Sequence, residues 1–171
     1  SFERMNKILD FNVEDRLVTC QAGVITQTLQ EFAVAQDLFY PVDFASAGSS
    51  QIGGNVSTNA GGIKVIRYGL TRDWVAGMRV VTGRGELLDC NSGLVKNATG
   101  YDLRHLMIGA EGTLGLVCEV DVRLAPAPEP QTVMVVGVPK VEELLDVLQA
   151  FSKQVTLTAF EFFSDLALTK V

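Results

Sequence analysis

Hydrophobic and polar positions alternate most cleanly from Leu116 to Leu124. Leu116, Cys118, Val120, Val122 and Leu124 fall on one face and Glu119, Asp121 and Arg123 on the other, which predicts a half-buried strand. Two further runs flank a tight turn: Met78 to Val81, then Thr82-Gly83-Arg84-Gly85, then Glu86 to Cys90, a hairpin signal. Near the start, Val13, the turn-like Glu14-Asp15-Arg16 and Leu17-Val18-Thr19-Cys20 predict a hairpin edge and a strand. Between Thr26 and Leu38 the spacing of Leu29, Phe32, Ala33 and Leu38 predicts a short amphipathic helix, with Thr28 and Glu31 in capping-box form. A second short helix is predicted over Thr99–Met107, with Leu103, Leu106 and Met107 on its buried face.

The pattern breaks at Ala125-Pro126-Ala127-Pro128-Glu129-Pro130, where alternating prolines stiffen the chain and stop sheet pairing. Beyond it, Val133–Val138 reads as a strand, Pro139 opens a helix carrying Val141, Leu144, Leu145, Leu148 and Phe151, and Val155–Phe163 reads as a second strand. Ser164 then stands where it would cap another helix. The expected organisation is a lobe over 1–125, a proline linker over 126–130, and the first β-α-β unit of a second domain over 131–171.

One stretch fits none of these periods. Gly48 to Gly69, GSSQIGGNVSTNAGGIKVIRYG, is mostly Gly, Ala, Ser, Thr and Asn, with Ile52, Val56, Ile63 and Val65 as its apolar anchors. Little of it is expected to pack a core. Paired glycines at Gly53-Gly54 and Gly61-Gly62 let backbone approach a ligand closely, and Asn55, Ser57, Thr58 and Asn59 add short polar groups. Tight turns alone would explain the glycines but not that polar density, so a flat, polyanionic, hydrogen-bonding cofactor is expected here. A second run, Gly109-Ala110-Glu111-Gly112-Thr113-Leu114-Gly115, has GxxGxxG spacing. That is neither the dinucleotide fingerprint GxGxxG nor a Walker loop.

Composition narrows the function classes. With 171 residues and 47% hydrophobic content the chain can bury one sizeable core. A formal charge of −6 argues against a nucleic-acid partner, which needs clustered Lys and Arg. The three cysteines, Cys20, Cys90 and Cys118, are far apart without CxxC spacing, so neither a disulfide framework nor a metal site is expected. No apolar run approaches the roughly 20 residues of a membrane span and no signal-peptide pattern opens the chain, so the expected setting is cytoplasmic or an organelle matrix. His105 is the single histidine. It points away from the leucine face, with no Ser, Cys or second His placed to work with it, and no residue is assigned a catalytic role. Asp102 reads as a helix cap and Glu111 as a solvated loop carboxylate, with bonding to backbone amides beside a cofactor as its alternative.

In order and spacing, NVSTNAGG over 55–62, Arg67-Tyr68-Gly69, Gly100-Tyr101-Asp102-Leu103 and IGAEGTLG over 108–115 resemble the FAD-binding domain of the vanillyl-alcohol oxidase (PCMH) type. The D-2-hydroxyacid dehydrogenase branch is the most similar, with a lean toward its D-2-hydroxyglutarate members over Leu87–Leu103. The resemblance implies an α+β fold with a mostly antiparallel sheet and flanking helices, followed by the start of a substrate-binding cap. It implies FAD lined by Pro41, Asp43, Ile52, Gly53, Gly54, Asn55, Ser57, Thr58, Asn59, Gly61 and Gly62, with Glu111, Gly112, Gly115 and Val117 at the adenine and pyrophosphate end. It further implies hydride transfer from C2 of a D-2-hydroxy acid (D-2-hydroxyglutarate, D-lactate or glycolate) to flavin N5 and an electron acceptor of unspecified kind; a homo-oligomer is among the assemblies left open. Phe44 and Ala110 stand where many members have Pro and Ser, and neither change removes an implied ligand. Members of this type also carry an N-terminal lobe with a pyrophosphate loop and a cap with basic residues and an active-site histidine. On that basis the chain is expected to be part of a longer flavoenzyme and to bind FAD weakly or not at all by itself. Rival expectations are a non-catalytic scaffold subunit keeping the fold and, less favoured, an NADPH-dependent flavin reductase.

Overall fold

The computed structural model describes residues 2–91, 94 and 96–170. Part of the Leu87–Leu103 run, at 92, 93 and 95, thus lies outside the described residues.

Two strands, β1 (Ile8–Asn12) and β2 (Leu17–Gln21), form the expected hairpin around Val13–Arg16. The next elements are α1 (Thr26–Val34), the short β3 (Leu38–Phe39), α2 (Ile52–Thr58), α3 (Val65–Tyr68) and α4 (Thr71–Trp74). After β4 (Val75–Thr82) and β5 (Leu87–Cys90) come α5 (Arg104–Met107), β6 (Gly115–Arg123) and β7 (Ala125–Pro126). The main sheet has five strands in the order β1-β2-β6-β4-β5, every neighbouring pair antiparallel. The predicted β4–β5 hairpin is present, its turn closed by Gly85 N donating to Thr82 O at 2.9 Å.

One face of the sheet holds the core. Val18, Cys20, Val80, Val120 and Val122 pack with Leu29 and Ala33 of α1, with Ile52 and Val56 of α2, and with Tyr40 and Val42 between them. At about 25 cal/mol per Å² such aliphatic burial is the main stabilising term of the lobe. Burial pushes the Cys20 thiol up to about 12, with the Asp121 carboxylate adding to the shift, so it behaves as a small apolar side chain. The cysteines are free, as expected.

Several local expectations are corrected. The first helix ends at Val34, and Asp37 takes a left-handed turn (φ 56°) into β3. Its capping box is absent: Thr26 opens the helix, Thr28 lies inside it, and Glu31 accepts a hydrogen bond from Gln27 Nε2 at 2.8 Å. The second predicted helix shrinks to α5, with Leu103 and Leu106 exposed and only Met107 against the core. In β6 the alternation changes phase: Arg79 pairs with Glu119 but Val80 pairs with Val117, so Cys118 is bulged. Val117 is therefore buried and Leu116 exposed, the reverse of the strict two-residue reading. A further bulge lies at Ala76 of β4, between the pairs Val75–Val122 and Gly77–Asp121.

Sheet pairing also continues into the prolines, since Pro126 pairs with Leu38 and Ala125 with Phe39. After them, one 3₁₀ turn (Val141–Glu143) leads into α6 (Leu144–Gln154), the predicted helix. The flanking segments 133–138 and 155–163 form no ladder among the described residues. The last element, α7 (Asp165–Leu168), is capped as predicted by Ser164 Oγ, which accepts from Ala167 N at 3.3 Å.

Candidate cofactor-binding site

The first glycine-rich run is not a loose loop. Ile52 and Val56, four residues apart, put two fully buried side chains on one face of α2, and the helix packs on β6. The expectation that this stretch contributes little to the core is thus overturned for residues 52–58. Gly54 and Thr58 occupy the outer face, with Thr58 Oγ1 donating to Gly54 O at 3.0 Å. Asn59 ends the helix in the left-handed conformation (φ 51°).

The second glycine-rich run meets the exit of this helix. Gly109 N donates to Val56 O at 3.0 Å, and Glu111 N donates to Ser57 O at 2.8 Å. Gly109, Glu111 and Gly112 all take positive φ (82°, 51° and 76°), three left-handed positions within four residues before β6 begins at Gly115. Two stretches that are remote in sequence thereby share one surface.

The glycines divide by what a side chain would strike. At Gly53 a β-carbon would stand 2.6 Å from Ala22 Cβ, and at Gly115 2.6 Å from Val80 Cγ1. At Gly61 it would meet Val65 Cγ2 at 2.9 Å, and at Gly62, with φ 95°, the backbone of Asp43. These four are small because protein packs on them. At Gly54 and Gly112 nothing lies within 4 Å of that position. Those two face open space.

Asn55 faces inward, nearly fully buried, and its Nδ2 donates to Thr26 Oγ1 at 2.6 Å. Thr26 Oγ1 in turn shares a 2.7 Å hydrogen bond with Ser50 Oγ, so a polar chain ties α2 to the start of α1. Pro41 is buried, and Asp43 Oδ2 pairs with Lys64 Nζ at 2.9 Å while Ile63 N donates to Asp43 O at 3.0 Å. Asp43 thus braces the turn at Gly61-Gly62. Ile52 and Val117 point into the core. Ser57, Thr58, Asn59 and Glu111 remain at the partly or fully exposed surface.

Two arginines escaped the sequence reading. Arg104 Nη1 donates to Val75 O at 2.8 Å and to Ala76 O at 2.7 Å, satisfying carbonyls at the β4 bulge. Its Nε and Nη2 fork onto the Asp102 carboxylate at 2.9 and 2.6 Å. This fork is the leading reason the Asp102 carboxyl is held below the usual carboxylate range. Asp102 therefore serves Arg104 more than a helix end, although it also accepts from Arg104 N at 3.1 Å. Exposed His105 lies 3.6 Å from Asp102. Beside this knot a cleft of about 150 Å³, lined in part by Cys90, Asn91, Asn97 and Thr99, separates β5 from the approach to α5. Arg72 reaches the seam between the glycine runs, a tertiary placement that no local spacing encodes. Its amide donates to Asn59 Oδ1 at 3.0 Å.

An open patch of backbone groups, short hydroxyl and amide side chains and one guanidinium suits a flat anionic ligand, and FAD fits that donor set. Among the described residues no group of His, Cys, Asp and Glu could hold a metal ion, and no helix is long and apolar enough to cross a membrane.

Comparison with known proteins agrees with this fit. The model of a family described as FAD binding domain matches residues 1–91. A D-2-hydroxyglutarate dehydrogenase of Stutzerimonas stutzeri (strain A1501) is 63% identical over all 171 residues, which cover 37% of that relative. The mitochondrial D-2-hydroxyglutarate dehydrogenase of Rattus norvegicus is 39% identical over 160 residues, 92% of this chain and 30% of its own length. Glycolate oxidase subunit GlcD of Bacillus subtilis (strain 168) is 44% identical over 128 residues, 75% of this chain and 27% of that relative. Among solved structures, an alkyldihydroxyacetonephosphate synthase superposes with a TM-score of 0.64 at 28% identity, covering 74% of this chain and 22% of its own. The chain spans only about a third of the length of these curated relatives. With the matched family model covering more than half of its residues, and with its antiparallel α+β lobe and converging glycine runs, this chain belongs to the FAD-binding-domain family of flavoproteins, of the vanillyl-alcohol oxidase (PCMH) type.

Proposed function

We propose that this chain is the FAD-binding lobe of an oxidoreductase that converts a D-2-hydroxy acid of the D-2-hydroxyglutarate, D-lactate or glycolate class to its 2-oxo acid. The observation carrying the proposal is the meeting of the two glycine-rich runs through Gly109 to Val56 and Glu111 to Ser57. Relatives bearing D-2-hydroxyglutarate dehydrogenase and glycolate oxidase names support the substrate class. FAD, when bound, supplies the two-electron acceptor for that oxidation.

The chain's own part is to hold and orient the cofactor. Gly54, Ser57, Thr58, Asn59, Glu111 and Gly112 form the surface toward it. Pro41, Asp43, Gly61 and Gly62 shape the adjoining turn, and Ile52, Gly53, Asn55, Gly115 and Val117 support it from behind. Residues 1–125 constitute the lobe, 126–130 the linker and 131–171 the opening of the substrate-binding cap, with substrate-contacting basic groups supplied by other parts of a longer polypeptide. The small-molecule acid is the partner, and the setting is cytoplasmic or an organelle matrix.

A screen of the full-length protein against D- and L-2-hydroxy acids with an artificial electron acceptor tests the assignment. Turnover of one D-acid is expected, without turnover of its L-enantiomer. Stoichiometric FAD with no turnover of any 2-hydroxy acid would instead make the protein a non-catalytic scaffold. Titrating the isolated chain with FAD tests the idea that it is only part of the cradle, and tight stoichiometric binding would overturn it.

A further inference from the structure

Arg72 brings a positive charge to the seam between the two glycine runs. Its backbone is fixed there: the amide donates to Asn59 Oδ1 at 3.0 Å, and Thr71 donates its amide and hydroxyl to Ala60 O at 2.9 and 2.6 Å. The side chain then crosses to the other run, where Nη2 lies 3.8 Å from the point at which a β-carbon on Gly109 would project. Gly109 is itself fixed, by its φ of 82° and its bond to Val56 O. Three other cations, Lys64, Arg79 and Arg104, each hold a carboxylate within 2.9 Å. Arg72 is half-buried, and among the described residues its guanidinium makes no ion pair or hydrogen bond; the neighbouring Asp73 carboxylate accepts from Leu70 N at 2.7 Å instead. A planar fork of donors in such a place is matched to an oxyanion.

We infer that Arg72 is an anion-holding residue of the cofactor site, its guanidinium taking a phosphate or carboxylate oxygen that rests against Asn59 and Gly109. This inference rests on the flavoenzyme assignment and adds to it a residue and the charge of the group that residue holds. Two sources share the oxyanion chemistry, the cofactor's pyrophosphate and the carboxylate of the hydroxy acid.

Arg72→Gln and Arg72→Lys, made in the full-length protein, distinguish them. With pyrophosphate as the ligand, Arg72→Gln weakens FAD binding to the apoprotein at least tenfold, Arg72→Lys recovers part of the loss, and KM measured at saturating FAD stays within twofold. With the carboxylate as the ligand, FAD affinity holds within twofold and KM for the hydroxy acid rises at least tenfold. The thermal midpoint of the apoprotein controls for folding, since an anion contact leaves it unchanged. If Arg72→Gln does not fold, Arg72→Lys alone decides, through the salt dependence of FAD binding and KM. FAD affinity and KM both within twofold of wild type would overturn the inference while leaving the flavoenzyme assignment standing. A wild-type protein that takes up no FAD and oxidises no hydroxy acid would sink both.

Discussion

The two glycine-rich runs have similar compositions and opposite structures. In the first, Ile52 and Val56 supply enough apolar surface on one helical face to recruit the run into the core, and Gly53 lets α2 press onto Ala22. In the second there is no such pair, and Gly109, Glu111 and Gly112 put three left-handed positions within four residues. Glycine content therefore has two meanings, close packing in one run and backbone reversal in the other. Two apolar side chains at helical spacing decide between them.

That contrast can be broken most forcefully at Gly53. Gly53→Ala should cost about 2–3 kcal/mol because the added methyl meets Ala22 with no room to relax, a loss that thermal unfolding of the apoprotein would register. At about 2–4 °C per kcal/mol for a domain of this size the shift is readily measured. Unchanged stability would mean that α2 does not press on Ala22.

Asn55→Ala comes next, at about 2 kcal/mol, since it removes a buried donor and disturbs the Thr26–Ser50 link. Urea unfolding of this variant with Thr26→Ala and the double mutant should reveal coupling, and strict additivity would deny the link. Gly112→Ala probes the second run. Its φ of 76° should make the alanine cost about 1 kcal/mol, from conformation alone because no atom crowds the site.

Gly54→Ala should behave in the opposite sense. A methyl there meets open space and improves helix propensity, so stability should rise by roughly 0.5 kcal/mol while FAD affinity falls. Retained FAD affinity would show that the outer face of α2 is not used for binding. The smallest expected effect is electrostatic. Arg104 holds the Asp102 carboxyl below its ordinary value, so the stability this gives is present above roughly pH 4 and lost as pH falls through the lowered folded value. Because Asp102 is partly exposed, screening keeps the effect modest. Comparing thermal midpoints of wild type and Asp102→Asn from pH 6 down to pH 3 should show the difference shrinking with acidity.

Much of the architecture was legible from periodicity alone. The β1–β2 and β4–β5 hairpins, α1 and α6 stand where alternation or helical spacing put them. The cofactor family was legible from motif order, which composition could not supply. Four features were not readable locally, and each has a tertiary cause. Cys118 bulges against β4 and reverses the facing of Leu116 and Val117. Ile52 and Val56 make a helix of polar-looking sequence because the sheet offers them a core. Arg72 and Arg104 have contacts that depend on which loops fold beside them. Segments 133–138 and 155–163 carry strand-like patterns, but a strand becomes one only through a neighbour to pair with, and their valines and phenylalanines stand largely exposed.

Cys118 also divides its strand into two independently adjustable parts. Below it, Val120 and Val122 stay registered with β2 and β4; above it, the residues leading back to Gly112 follow the shifted phase. Removing that single residue would close the bulge into a regular ladder, with Val117 still opposite Val80 and the lower pairs untouched. The joint thus absorbs a one-residue change in strand length without rebuilding the lobe that carries the second glycine-rich run.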